Sequence, residues 1–318
     1  MTYQADALAD RRRLRRKISF WRAITFVIAL VAVIAAYALT QSDRSIIPSD
    51  HIARVEIEGV IGDNREQRQL LRSIKENERV KGLIISINSP GGTTAGAEAL
   101  YLSIRDVAEE KPVVATLGTL AASGGYIAAI GADHIIARGN TLAGSIGVIF
   151  QWPDATELLD RFGLEFNQIK SSSIKAEPTP FTETPEEARL MIAATVRDSY
   201  QWFIDLVTER RDLNEEQAEE VGDARILTGR AAIEAKLVDA IGGEDEAKAW
   251  LVERESLAAS IKIRTYTTEE PFSGLSGGGR ILAWTAERLG FGSDVAELIT
   301  PRPRLDGLIS LWHPDLVD

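Results

Sequence analysis

The chain has no cysteine in its 318 residues. Disulfides, zinc–thiolate centres, iron–sulfur clusters and a cysteine nucleophile are thereby excluded, while the compartment stays open. Histidine is scarce as well, at three residues, and none has a catalytic-looking context. His51 follows the N-terminal apolar run, His134 heads an apolar strand and His313 lies in the C-terminal tail. Positive charge is in deficit, with Lys+Arg 36 against Asp+Glu 47 and a net charge of −11. An acidic body argues against nucleic acid as a partner. A phosphate-loop glycine motif and an internal repeat are missing, and the G-x-S-x-G elbow is absent around Ser123, which reads A-A-S-G-G. What remains is the composition of a folded protein, 45% apolar and 26% charged, long enough for one large or two ordinary domains.

The scarce positive charge is concentrated at one end. Arg11, Arg12, Arg13, Arg15, Arg16, Lys17 and Arg22 stand against only Asp6 and Asp10 in residues 1–22. The run 20–40 then follows, without a charge from Ile24 to Leu39. About 20 apolar residues cross a hydrocarbon layer of ~30 Å. The spacing predicts a transmembrane anchor over 20–40, with a cytoplasmic basic N-terminus at 1–19. Positive charge before the span places the body beyond residue 41 on the far side. Trp21 and Tyr37 suit the two interfaces. Ala36-Tyr37-Ala38 resembles a cleavage site, but the apolar run is longer than a signal-peptide core, and an uncleaved anchor is the reading adopted.

After a polar linker at 41–50, strands alternate with helices. Strands are expected over His51–Val60, Gly82–Asn88, Pro112–Leu117, His134–Ala137 and Ser145–Phe150, and an extended stretch over Leu164–Ile169. Helices are expected over Asn64–Asn77, Thr94–Glu109, Ser123–Ile130, Asp154–Phe162, Asn214–Val221 and Arg230–Ala235. Thr184-Pro185-Glu186-Glu187 reads as a capping box opening a long helix to about Arg211. The alternation predicts an α/β fold with right-handed crossovers. Beyond Thr265 the composition turns loop-like, with a helical stretch over Ile281–Leu289, leaving 266–318 as an extension of unknown role.

Three glycine-rich turns follow strands: NSPGG at 88–92, ASGG at 122–125 and AGSIG at 143–147. Ligands of open α/β sheets gather at the carboxyl ends of strands, so one site can take all three. Ser123 opens a helix, where developing negative charge is favoured. A single Ser-Gly-Gly is more often a turn or a cap. The N–H groups of Gly92 and Gly124 can converge on an oxyanion, each such donor contributing ~3–4 kcal/mol in the transition state. With histidine excluded, the base is a lysine, which serves only when neutral. Spacing does not single one out. Ser172-Ser173-Ile174-Lys175 also spells S-x-x-K, but no S-D-N or K-T-G triplet accompanies it.

NSPGG, LAASGGY (120–126), AGSIGV (143–148) and IKSSSIK (169–175), in this order and spacing, resemble the signal peptide peptidase A family in its short form. The likeness runs over about 52–245, through ADHIIA (132–137), TPEEA and AKLVDAIGG (235–243). It implies a ClpP/crotonase-like fold of repeated β-β-α units over 51–265 and a Ser/Lys-dyad serine peptidase. The nucleophile falls on Ser123 and the general base on Lys175. Gly92 and Gly124 match the oxyanion donors, and Ser145 matches a serine that orients the lysine. Ala143, Ser172 and Lys236 depart from the family pattern without removing a reacting atom.

The resemblance further implies cleavage of signal peptides left after export, and of other unfolded peptides, by a catalytic domain held outside the cytoplasm at the inner membrane. It implies a homo-oligomer and no cofactor or metal. The alternatives are a crotonase-like acyl-CoA enzyme, which would not need Ser123, and an inactive membrane scaffold.

Overall fold

Runs of β-branched residues make the centre of the sheet. In a computed structural model of the chain, residues 49–268, the helical residues 21, 22, 24–26, 28 and 29, and the strand 309–311 are described. The chain divides into two compact units, 1–49 and 50–318. In the first, Thr25 Oγ donates to the Trp21 carbonyl at 2.8 Å, and Trp21, Phe26 and Ile28 are exposed. Among the described residues no helix is long and apolar enough to cross a membrane. Most of 20–40, with Ala36-Tyr37-Ala38, lies outside the described residues, as do Ile281–Leu289 and His313.

The second unit begins with strand β1 (His51–Ile61), helix α1 (Arg65–Glu76), β2 (Val80–Thr93), α2 (Thr94–Ala108), β3 (Val113–Ala122) and α3 (Gly124–Ala129). β1, β2 and β3 are parallel neighbours. Parallel pairing needs a crossover between strands, and α1 and α2 supply it. α1 is capped by Asn64, whose side chain accepts from Gln67 N–H, and it buries Leu71 and Ile74. α2 is capped by Thr93 and buries Leu100, Ile104 and Val107. Leu83, Ile85 and Ile87 of β2 face this helical layer, while Ile84 and Val114 join Ala247 and Leu251 on the opposite face. A sheet covered on both sides explains why GLIISIN reads as unbroken apolar sequence instead of alternating.

β3 carries two partners in succession on its other side. Val114–Leu117 pair with β4 (His134–Ala137), and Leu120–Ala122 pair with β5 (Leu142–Gly144), both parallel. The chain continues through α4 (Thr156–Arg161), α5 (Glu186–Arg211), α6 (Glu215–Val221), β6 (Ile226–Thr228), α7 (Gly229–Glu234), β7 (Ala240–Ile241), α8 (Glu244–Arg254) and β8 (Lys262–Tyr266). The main path across the sheet runs β6-β5-β3-β2-β1-β8. A ninth strand, β9 (Ile309–Leu311), pairs antiparallel with Gly91–Thr93 of β2.

Several expected boundaries move. β2 does not stop before NSPGG but runs through it to Thr93, because β1 and β9 continue to pair there. The ladder absorbs the turn-forming residues by a register shift between Glu58 and Val60. The strand expected at Ser145–Phe150 is replaced by β5 just before it, and Leu164–Ile169 joins no strand. The expected capping box at Thr184 is not formed: Pro185 is the N-cap residue of α5 and no side chain caps it. Thr184 is buried instead.

Candidate active site

Ser123 stands one residue beyond β3 and one before α3, with φ 54° and ψ −118°. For a residue with a β-carbon this is a strained conformation, of the kind that persists where surrounding contacts dictate it. Its N–H donates to the Gly144 carbonyl at 2.8 Å, directly after the Ala122–Gly144 register pair of β3 and β5. Its carbonyl accepts from the N–H groups of Tyr126 and Ile127 at 2.9 and 3.0 Å. Ser123 Oγ lies 3.3 Å from the Gly147 carbonyl as donor. The residue is 1% exposed. Backbone bonds on both sides therefore hold the kink, and the hydroxyl is tied to the AGSIG turn.

Tyr126 anchors the helix beneath. It is wholly buried, and its hydroxyl donates to the Leu237 carbonyl at 2.8 Å. Burial raises its pKa far above the ordinary phenol value, so it stays a neutral donor.

The NSPGG turn packs on the same helix start. Ser89 is fully buried, and its Oγ donates to the Gly59 carbonyl at 2.7 Å and accepts from Gly91 N–H at 3.1 Å. A β-carbon on Gly125 would sit 2.8 Å from the Ser89 carbonyl oxygen. One on Gly92 would come within 1.8 Å of the Ile61 carbonyl oxygen. Both glycines are required by close backbone approach. Gly92 is flanked by Ile61 of β1 and Ser310 of β9. Gly124, the first residue of α3, has an N–H that precedes any intrahelical acceptor. The three glycine-rich turns thus lie side by side at the carboxyl ends of β2, β3 and β5.

Ser145 has φ 52°, its N–H donates to the Arg225 carbonyl at 2.9 Å, and it is half-buried. Among the described residues its hydroxyl meets no hydrogen-bond partner. Lys175 lies in a turn in which its N–H donates to the Ser172 carbonyl at 3.1 Å, and its side chain is exposed. Among the described residues no hydrogen bond joins it to Ser123 in the single chain. The structure brings together Ser123, Gly124, Gly92 and the Ser145 turn, and leaves Lys175 on a surface.

The two described histidines are far from this end. His51 and His134 open β1 and β4, and His134 is in register with Val114 at the start of β3. From Val114 to Ser123 an extended strand rises about 30 Å. His134 stacks on Trp250 with ring centroids 5.0 Å apart. His51 shares a 2.8 Å hydrogen bond with the Tyr266 hydroxyl. Both serve the frame. Among the described residues no cluster of His, Asp and Glu is arranged to hold a metal ion.

Sequence reasoning missed Ser89, Tyr126 and the ion pair of Lys170 with Glu177. Ser89 was visible only as part of a turn motif, and Tyr126 only as the last letter of LAASGGY. Lys170 and Glu177 carry no periodic signal.

Known proteins resemble the chain in sequence. Residues 105–258 match the model of peptidase family S49. The chain is 34% identical to "Putative protease slr0021" of Synechocystis over 75% of this chain and 87% of that one. It is 28% identical to "Putative signal peptide peptidase SppA" of Enterococcus faecium, over 73% and 72% of the two chains. It is also 28% identical to "Protease 4" of Haemophilus influenzae, over 62% of this chain and 33% of that one. Ser123 is held in a strained kink between glycine turns in a parallel-rich α/β sheet, and the chain belongs to peptidase family S49, the signal peptide peptidase A family of serine peptidases.

Proposed function

We propose that the chain is a membrane-anchored serine endopeptidase that cleaves signal peptides left after export, and other unfolded peptides, with Ser123 as nucleophile and Lys175 as general base. The observation that carries this reading is the buried Ser123 at φ 54°, flanked by the Gly92 strand and the Gly144 turn. The parallel-rich sheet and its strand–helix crossovers support a ClpP/crotonase-like body over 51–265. The charge-free run Ile24–Leu39 behind a basic cluster supports an anchor at 20–40, with the N-terminus cytoplasmic and the body outside.

In the proposed chemistry, neutral Lys175 Nζ takes the Ser123 proton as Oγ bonds to the peptide carbonyl carbon. The oxyanion accepts from Gly92 and Gly124 N–H. The ammonium then protonates the amine as the C–N bond breaks. Water enters, gives a proton to Lys175 and bonds to the acyl carbon, and the ester oxygen leaves with that proton to restore Ser123. Ser145 orients the lysine. Neutral lysine needs shielding from water, which an exposed side chain lacks. Lys175 is surrounded in sequence by exposed Phe162, Leu164, Phe166, Ile169 and Phe181, an apolar rim that a second copy of the chain would cover. A homo-oligomer in which one protomer's Lys175 meets its neighbour's Ser123 satisfies both observations.

The test uses the full chain in detergent with an internally quenched Leu/Ala-rich peptide. Ser123→Ala and Lys175→Ala abolish cleavage, and a serine-directed acylating probe adds its mass to Ser123 only when Lys175 is present. A Lys175→Ala enzyme retaining more than about a tenth of wild-type kcat/KM overturns the assignment of the base.

A further inference from the structure

From residue 162 to residue 185 the chain forms neither helix nor strand, yet it carries Lys175. No backbone ladder orders this stretch; single backbone hydrogen bonds and side-chain contacts do. The residues that do so flank Lys175. Lys170 and Glu177 form an ion pair with side-chain exposures of 15% and 3%, while Ser171, Ser172, Ser173, Lys175 and Ala176 between them are exposed. The second carboxylate oxygen of Glu177 accepts from Thr179 N–H at 3.1 Å. Inside the ring so closed, Lys175 N–H donates to Ser172, Glu177 N–H donates to the Ile174 carbonyl at 3.2 Å, and Ala176 takes φ 61°. Ser173 Oγ donates to Glu187 in the first turn of α5 at 3.0 Å, which ties the ring to the body.

A buried ion pair is a poor device for stability, because removing both charges from water offsets most of their attraction. It does fix geometry. We propose that Lys170 and Glu177 are positioning residues: their ion pair clamps the two ends of the 170–177 loop and thereby sets where Lys175 Nζ is presented to the Ser123 hydroxyl. The inference rests on Lys175 being the general base. A clamp holds the ammonium donor away from the reacting proton, since Lys170 is committed to Glu177, and leaves Lys175 as the uncommitted lysine of the loop.

The test compares full-length Glu177→Gln, Lys170→Met and the charge-exchanged Lys170→Glu/Glu177→Lys with wild type and Lys175→Ala. A displacement of about 1 Å in a reacting group lowers rate on the order of 100-fold. The expected result is therefore a fall in kcat of about 10- to 100-fold for each single variant, with KM within about threefold. The rising limb of kcat/KM against pH also moves, because the surroundings of Lys175 change. The charge-exchanged protein recovers at least part of kcat and the wild-type pH limb. Loss of fold alone would not move the pH limb. If Glu177→Gln does not fold, Glu177→Asp keeps the charge with one methylene less reach and shows the same fall and the same moved limb. Wild-type kcat and pH limb in the single variants, or in Glu177→Asp, overturn the clamp while inactive Lys175→Ala leaves the dyad standing. An active Lys175→Ala overturns the dyad itself and the clamp with it.

Discussion

Ser123 and Gly144 are joined through the backbone: the serine N–H donates to the glycine carbonyl at 2.8 Å, so the kink at the proposed nucleophile is an extension of the β3–β5 ladder. The pairing dictates φ 54° at Ser123, a conformation that glycine adopts without steric penalty and serine does not. The strain has a measurable sign. Ser123→Gly and Ser123→Ala both remove the hydroxyl, but only the alanine keeps the β-carbon that the kink disfavours. Denaturant unfolding should find the glycine variant more stable than the alanine variant by about 1 kcal/mol, even though glycine raises the entropy of the unfolded chain. The reverse order would mean that the kink is not strained.

Gly92, a proposed oxyanion donor, offers a test that leaves the Ser123 and Lys175 side chains in place. A β-carbon there would lie 1.8 Å from the Ile61 carbonyl oxygen, and that oxygen belongs to backbone in the β1–β2 ladder. It has no flexible end to move aside. Gly92→Ala must push β1 from β2 next to the proposed oxyanion donor, at a cost of about 3 kcal/mol in stability. Thermal unfolding and peptide cleavage should fall together. An alanine variant with wild-type activity would show that this strand position tolerates displacement and does not aim a donor.

Lys175 is exposed while Ser123 is buried, and a proposed dyad of the two predicts complementation. Co-expressed Ser123→Ala and Lys175→Ala chains each lack one member of the proposed dyad. If the pair forms across a subunit boundary, random assembly at equal amounts yields about a quarter of wild-type sites, because each boundary draws one residue from each side. Cleavage by the mixed preparation, with none from either variant alone, is the expected outcome. Complete inactivity of a mixed assembly places both residues in one chain.

The strands and helices were legible wherever one physical signal acted alone. β-branched runs marked β1, β2 and β4, and the helices expected over Asn64–Asn77, Thr94–Glu109 and Asn214–Val221 form as α1, α2 and α6. The reading failed where pairing overrode composition. Pro90, Gly91 and Gly92 look like a loop, yet the strand runs through them, with β1 and β9 pairing to Gly91 and Gly92. β9 itself was invisible, since the three residues Ile309-Ser310-Leu311 within a loop-like tail are too few to carry a period. At the site, Ser123 and the glycines were named from turn chemistry alone, but choosing Lys175 needed the family likeness. A lysine's usefulness depends on burial, and burial is a property of the assembled molecule. The Lys170–Glu177 pair escaped for the same reason.

Acid stability reports on the opposite end of the sheet. Burial against Trp250 holds the His134 imidazole below its ordinary pKa, outweighing the favourable Asp239 nearby. The folded state thus binds this proton more weakly than the unfolded state. Its contribution is fully present above the unfolded value of about 6.5 and is lost as pH falls from there toward the lower folded value. His134→Phe keeps a ring on Trp250 and removes the proton. Its Tm should decline less than that of wild type between pH 6.5 and 5, as a flatter curve of Tm against pH. Parallel curves would mean that His134 is protonated equally well in both states.

β9 occupies the edge of β2 that β3 leaves. β3 pairs with β2 as far as Ala121 and Ser89; beyond that, Gly91–Thr93 pair with Ile309–Leu311. A strand edge has one row of donors and acceptors, so an extended peptide laid along it toward Ser123 must displace β9. Removing residues 302–318 therefore should lower KM for an unstructured peptide severalfold while leaving kcat near wild type. A synthetic peptide of the sequence 305–315, added to the shortened enzyme, should raise KM again in proportion to its concentration. If β9 instead only closes the sheet, the shortened enzyme will unfold at lower temperature with KM unchanged, and the added peptide will not compete.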